Sequence, residues 1–232
     1  MIDLIAAAHG TADPRGIHEV HALVREMRRL RPDVPISLGF VDVDVPALPS
    51  LVGRVVAESN EAVVVPLLLS SGYHLAVDVA GEAERRPGRV HAAGALGPDP
   101  LLVEVLADRL GDLERVDRVV LAAAGSSDRR ALLDCSATAA LLASRVDRPV
   151  EVGCVSGAGE RLGPVLVRQS GRVAVATYLL APGAFADHVR RVATGHFVSA
   201  PLGADPRIAA LALQRYDEKL LHVGKTRHLA AG

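Results

Sequence analysis

The 232-residue sequence has no tryptophan, three phenylalanines and three tyrosines, so aromatic residues make up only 3% of the chain. A core this poor in rings is built from alanine, valine and leucine, and the stacking platforms that hold single-stranded nucleic acid are disfavoured. An excess of one charge is also missing. Lys+Arg number 26 against 27 Asp+Glu, a formal net charge of -1, without the basic footprint that phosphate-backbone binding requires. Nucleic acid is therefore not an expected partner. Two cysteines, Cys135 and Cys154, are too few for a disulfide framework and are not a close-spaced metal pair. Both read as buried small hydrophobes, and a reducing cytoplasm is the expected location. Charged residues and prolines break every apolar run before the ~18 residues of a membrane span. The opening Met1-Ile2-Asp3-Leu4 enters an apolar strand pattern without a basic leader or a small-residue cleavage site.

What is present is ordinary globular material, 50% hydrophobic and 23% charged, enough for one large domain or two compact ones. An internal repeat decides between these. LIAAAHGTAD (Leu4 to Asp13) resembles VLAAAGSSD (Val120 to Asp128), which sets Gly125 opposite His9 at a separation of 116 residues. PISLGFVD (Pro35 to Asp42) aligns with PVEVGCVS (Pro149 to Ser156), which sets Ser156 opposite Asp42 at 114. VVVPLLLSSGYH resembles VAVATYLLAPGAF with one inserted residue, bringing Phe185 opposite His74, and Leu96-Gly97-Pro98-Asp99-Pro100 recurs as Leu202-Gly203-Ala204-Asp205-Pro206.

Each copy alternates strand and helix. In the first, apolar β-branched runs predict parallel strands near 3–8, 36–42, 62–69 and 89–92. Ile17, Val20, Val24, Met27 and Leu30 form one face of a predicted helix whose other face is charged. Asp99-Pro100 and Asp205-Pro206 are helix starts, with Asp capping and Pro at the first position. The expected fold is α/β: two tandem, internally duplicated domains, each an open, mainly parallel sheet flanked by helices. Residues 1–113 form the first, 114–221 a degenerate repeat, and 222–232 a flexible tail without pattern.

Open parallel sheets bind ligands beyond the carboxyl ends of their strands. His9, Asp42 and His74 all fall at such ends of the first sheet, and two imidazoles with a carboxylate suit a divalent transition metal. The second copy offers Gly125, Ser156 and Phe185, none of which ligates such a metal well. Each of the three residues also has a simpler reading: a turn hydrogen bond for His9, a cap on the following helix for Asp42, an exposed loop position for His74. Other candidates are weaker. His18 and His21 lack the spacing of a helical zinc motif and read as solvated helix residues. Gly157-Ala158-Gly159-Glu160-Arg161-Leu162-Gly163 reads as a glycine-rich turn rather than a dinucleotide loop. Gly224-Lys225-Thr226 lacks the upstream glycine of a phosphate loop.

The opening LIAAAHGTADPRG, the segment GFVDVDVPAL and the segment VVVPLLLSSGYHLAVDV together resemble the sirohydrochlorin chelatases of the CbiX and SirB type, in the class II chelatase superfamily. The resemblance spans nearly the whole chain. It implies a chelatase-like fold and a lyase that inserts Co2+ or Fe2+ into sirohydrochlorin, toward cobalamin or sirohaem. The divalent metal is then a substrate, no organic cofactor or ATP is needed, and the partner is a tetrapyrrole. By the same resemblance His9 and His74 are the metal-binding histidines, and Asp42 stands where the family usually has Glu, one methylene shorter. Arg15, Arg129 and Arg130, just after the first strands of the two copies, are candidates for holding the macrocycle's carboxylates. With so few aromatics, the rest of the ring would lie on aliphatic walls. A non-catalytic cobalt- or nickel-delivery protein would use the same ligands, and either a monomer or a homodimer is compatible.

Overall fold

A computed structural model describes residues 2–72 and 75–230, with side-chain surroundings for 2–72 and 77–226. Two four-stranded sheets, all parallel, are ordered β2-β1-β3-β4 and β6-β5-β7-β8. The first contains β1 (Asp3–Ala8), β2 (Ile36–Phe40), β3 (Ala62–Pro66) and β4 (Val90–Ala92). Its helices are α1 (Pro14–Leu30), α2 (Leu48–Ser59), α3 (Ala80–Arg85), which a π-helical turn Leu75–Val79 leads into, and α4 (Pro100–Leu110). The second repeats the plan with β5 (Arg118–Ala123), β6 (Val150–Cys154), β7 (Val173–Tyr178) and β8 (Phe197–Val198). Its helices are α5 (Arg129–Val146), α6 (Leu162–Val167), α7 (Ala184–Val192) and α8 (Pro206–Ala230).

The duplicated α/β architecture read from the repeat is the one observed, with differences at the edges. β2 stops at Phe40 rather than at 42 because the chain turns sharply over Asp42 to Asp44, whose amide donates to the Asp42 carbonyl at 2.7 Å. β3 ends at Pro66, which has no N–H to offer β4, although the Leu67 amide still donates to the Ala7 carbonyl of β1 at 2.8 Å. α1 starts three residues before Ile17, because Asp13 accepts from the Arg15 amide at 2.9 Å and Pro14 fits the first helical position. Asp128 caps α5 in the same way, through the Arg130 amide at 2.9 Å. The segment expected as a tail continues α8 as helix to Ala230. After Pro206 only Gly224 breaks a run of ordinary helix formers, so nothing in the sequence stops the helix earlier.

The halves exchange their last helices. α8, at the end of the second copy, lies against β3 and β4 of the first sheet and against α1, whereas α4 lies against β7 of the second sheet and against α5. Strand alternation makes this productive. Leu4, Ala6 and Ala8 of β1 share one continuous apolar core with Val119, Leu121 and Ala123 of β5, while Ile5 and Ala7 belong to a separate cluster under α2. Polar contacts pin the exchange. Arg215 of α8 reaches the carbonyls of Ala95 and Leu96 and the Asp99 carboxylate at 2.8–3.0 Å, and Asp108 of α4 pairs with Arg207 at 2.6 Å.

Candidate functional site

β1 and β2 end side by side, with Ala8 opposite Phe40. The pairing runs one step past the strands: the Val41 amide donates to the Ala8 carbonyl and the Asp42 amide to the His9 carbonyl, both at 2.9 Å. His9 and Asp42 are therefore brought together, exposed, on the carboxyl edge of the first sheet. Gly10 makes the close approach possible. It has φ of +95°, and a Cβ there would lie 1.9 Å from the Asp42 carbonyl oxygen. The Thr11 amide donates to the Asp44 carboxylate at 2.9 Å, tying the two loops together from the far side. Asp42 is not the cap of the next helix. α2 has Ala47 at its N-cap and no side-chain cap, and the Asp42 Oδ1 instead accepts from the Val43 amide at 2.8 Å.

His74, the third candidate, lies outside the described residues. Among the described residues no group of three or more His, Cys, Asp or Glu side chains is placed to hold a metal ion. The segment leading toward His74 is tied to the second half: the Ser71 amide donates to Asp134 of α5 at 2.7 Å, and the Tyr178 hydroxyl donates to the Leu69 carbonyl at 2.8 Å. Burial pushes the Tyr178 phenol up, which keeps it a donor. On the other side of the pseudo-symmetric pair, Gly16 of α1 sits so close to the Pro182 carbonyl that a Cβ would lie 2.8 Å from it. The strand-end loops of the two halves thus meet.

The second copy corrects one sequence alignment. β1 and β5 superpose by register at a separation of 115, not 116, so His9 corresponds to Ala124 and Gly10 to Gly125. Matching the alanine triplets 6–8 and 122–124 by letter slides the register by one residue. The backbone identifies the true partner: Gly125 has φ of +83°, and its absent Cβ would lie 2.0 Å from the Ser156 carbonyl oxygen, as Gly10's would from Asp42. Ser156 does occupy the place of Asp42, with its amide on the Ala124 carbonyl at 2.9 Å. One further position is shared. Val43 and Gly157 both have left-handed backbones, φ +65° and +72°.

The three candidate arginines differ. Arg15 is held by Asp13 and by Asp187 of α7, each at 2.6 Å, and these carboxylates raise its pKa further while its guanidinium lowers theirs. Arg130 is paired with Asp128 at 2.8 Å. Arg129 is exposed and forms no ion pair among the described residues. His18 and His21 lie exposed on α1, Gly157 to Gly163 form a turn into α6, and Gly224-Lys225-Thr226 is helical within α8. Both cysteines are buried, and burial pushes the Cys135 thiol up to about 12 and that of Cys154 up as well, so neither is a nucleophile. Val43, Asp44 and Asp134 were not singled out from the sequence. The Val-Asp-Val-Asp-Val run around Asp42 was the available signal for the first two, and Asp134 had none.

The chain is 25% identical over 130 residues to the sirohydrochlorin cobaltochelatase of Methanothermobacter thermautotrophicus, covering 47% of this chain and 90% of that protein. Its fold matches SirB from Bacillus subtilis with Fe3+ at a TM-score of 0.77 and 21% identity, over 94% of this chain and 96% of that one. It matches SirB from Bacillus subtilis subspecies spizizenii in complex with cobalt at 0.74 and 21%, over 94% and 95%. No helix among the described residues is long and apolar enough to cross a membrane. The CbiX family model matches residues 3–113 and again 118–219, and the chain belongs to the CbiX family.

Proposed function

We propose that the protein inserts a divalent metal ion, Co2+ or Fe2+, into sirohydrochlorin, with residues 1–113 carrying the metal chemistry and 114–221 forming the opposing wall. One observation carries the reading: His9 and Asp42 are joined through the backbone at the carboxyl edge of the first sheet, while the same scaffold in the second copy presents Ala124 and Ser156. The names of the cobaltochelatase relative and of the metal-bound SirB structures support the substrate class.

In this mechanism His9 and His74 hold the partly dehydrated metal ion against one face of the ring. The metal enters as a dication and two pyrrole N–H protons leave, so charge balances and no redox step is needed. Asp42 accepts a proton as general base. Of the three arginines, Arg129 forms no ion pair among the described residues and is the best placed electrostatically to take a substrate carboxylate, whereas Arg15 and Arg130 would first have to exchange a protein carboxylate for it.

The test incubates purified protein with sirohydrochlorin and Co2+, or with Fe2+ anaerobically, and follows the macrocycle's absorption. Insertion faster than the protein-free control supports the proposal. A rate equal to the control overturns it, and tight metal binding without acceleration identifies a carrier instead.

A further inference from the structure

Val43 occupies a backbone conformation that its own side chain opposes. At φ +65° a β-branched residue is crowded against its carbonyl, and glycine is the residue that enters this region freely. The second copy makes that choice: Gly157 holds the equivalent position at φ +72°. The strained residue therefore belongs to the copy with His9 and Asp42, and the relaxed one to the copy with Ala124 and Ser156. Burial does not explain the valine. The residue is 64% exposed, and Val45 two residues on is 83% exposed, on the loop whose Asp42 amide is bonded to His9. Strain kept at an exposed position beside a polar site points to a use in binding.

We infer that Val43, with Val45 beside it, is a substrate-contact residue: an aliphatic rest for the flat apolar face of the tetrapyrrole, next to the groups that hold the metal. This rests on the proposed chelatase reading and names the part of the chain that recognises the ring. Two exposed valines alternating with Asp42 and Asp44 along the loop suit a planar ligand with a hydrophobic face. A small hydrated metal ion alone would gain nothing from the two valines. The left-handed turn matters because it directs the residue after Asp42 away from the strand path.

Val43→Gly separates binding from folding, because it removes the side chain and relieves the backbone together. The direct readout is the dissociation constant for metal-free sirohydrochlorin, followed by the tetrapyrrole's own fluorescence in a protein without tryptophan. Val43→Gly is expected to melt about 2–4 °C higher than wild type and to bind the macrocycle about five- to tenfold more weakly, with the Co2+ affinity unchanged. Val43→Thr keeps the branch and the strain while replacing one methyl by a hydroxyl; it is expected to melt near wild type and also to bind more weakly. Unchanged macrocycle affinity in Val43→Gly, or a lower melting temperature, overturns the inference. Full affinity in Val43→Thr overturns the apolar contact. Wild-type protein that binds the ring but does not speed insertion overturns the chelatase reading and leaves Val43's role standing; wild-type protein that does not bind the ring overturns both.

Discussion

The amide of Asp42 donates to the carbonyl of His9 at 2.9 Å, so the two candidate side chains are joined through a bond that neither side chain makes. The scaffold beneath them is independent of what they carry. Ser156 and Ala124 make the same backbone bond in the second copy, at the same 2.9 Å.

Removing the functional groups should therefore leave the fold intact. His9→Ala and Asp42→Asn are expected to unfold in urea within about 0.5 kcal/mol of wild type, as exposed substitutions do. Metal insertion should fall about 100-fold in Asp42→Asn if the carboxylate is the proton acceptor, and below detection in His9→Ala. Initial rates of the macrocycle's spectral change measure both. Full activity in either variant would remove that residue from the site.

Gly10 and Gly125 offer a paired test of scaffold against site. A methyl group at either would collide with a carbonyl oxygen, that of Asp42 or that of Ser156, on a backbone with positive φ. Gly10→Ala and Gly125→Ala should each cost about 1–3 kcal/mol of stability. Only Gly10→Ala forces the Asp42 loop off His9, so only it should lose most of the insertion activity under conditions where both variants remain folded. Equal losses of activity would mean that the two edges contribute alike.

The Tyr178 hydroxyl bridges the halves by reaching Leu69, 109 residues earlier in the sequence, and Gly97 packs on the same junction: a Cβ there would meet both Leu69 and Tyr178. Tyr178→Phe keeps the ring and leaves the Leu69 carbonyl without its donor. The expected cost is about 1–2 kcal/mol, read as a lower urea midpoint with one transition, because the continuous core still couples the halves. Two separate transitions would show that the hydroxyl, not the shared core, holds them together.

Much of this organisation was legible in the sequence because it is local. β1 runs from Asp3 to Ala8 as the apolar run indicates, and the Asp99 and Asp205 caps lie where Asp-Pro announces them. The helix exchange left no such mark. α4 and α8 are apolar on the faces they bury whichever sheet receives them, so the sequence cannot say that α8 packs on the first sheet and α4 on the second. Register was legible but easily slipped: the alanine triplets pull the alignment to 116, whereas a separation of 115 sets Gly10 on Gly125 and Asp13 on Asp128, and the left-handed glycines and the matching helix caps make Ala124 the partner of His9.

The cap on α8 carries a pH dependence of known sign. Asp205 accepts from the Arg207 amide at 3.0 Å and pairs with the Arg207 guanidinium at 2.9 Å, which holds its carboxyl below the ordinary carboxylate range. A carboxyl whose folded pKa is depressed contributes fully above its unfolded value of about 3.9. The contribution is lost as pH falls through the lower folded value, because the unfolded chain takes up the proton first. Asp205→Asn keeps a cap oxygen and removes the charge. It should be less stable than wild type by roughly 1 kcal/mol at pH 7. The gap should hold down to about pH 5 and close as the pH is lowered through 4 and 3, as urea midpoints taken across that series would report. A gap that stays constant with pH would assign the whole effect to the shape of the cap and none to the charge that binds Arg207.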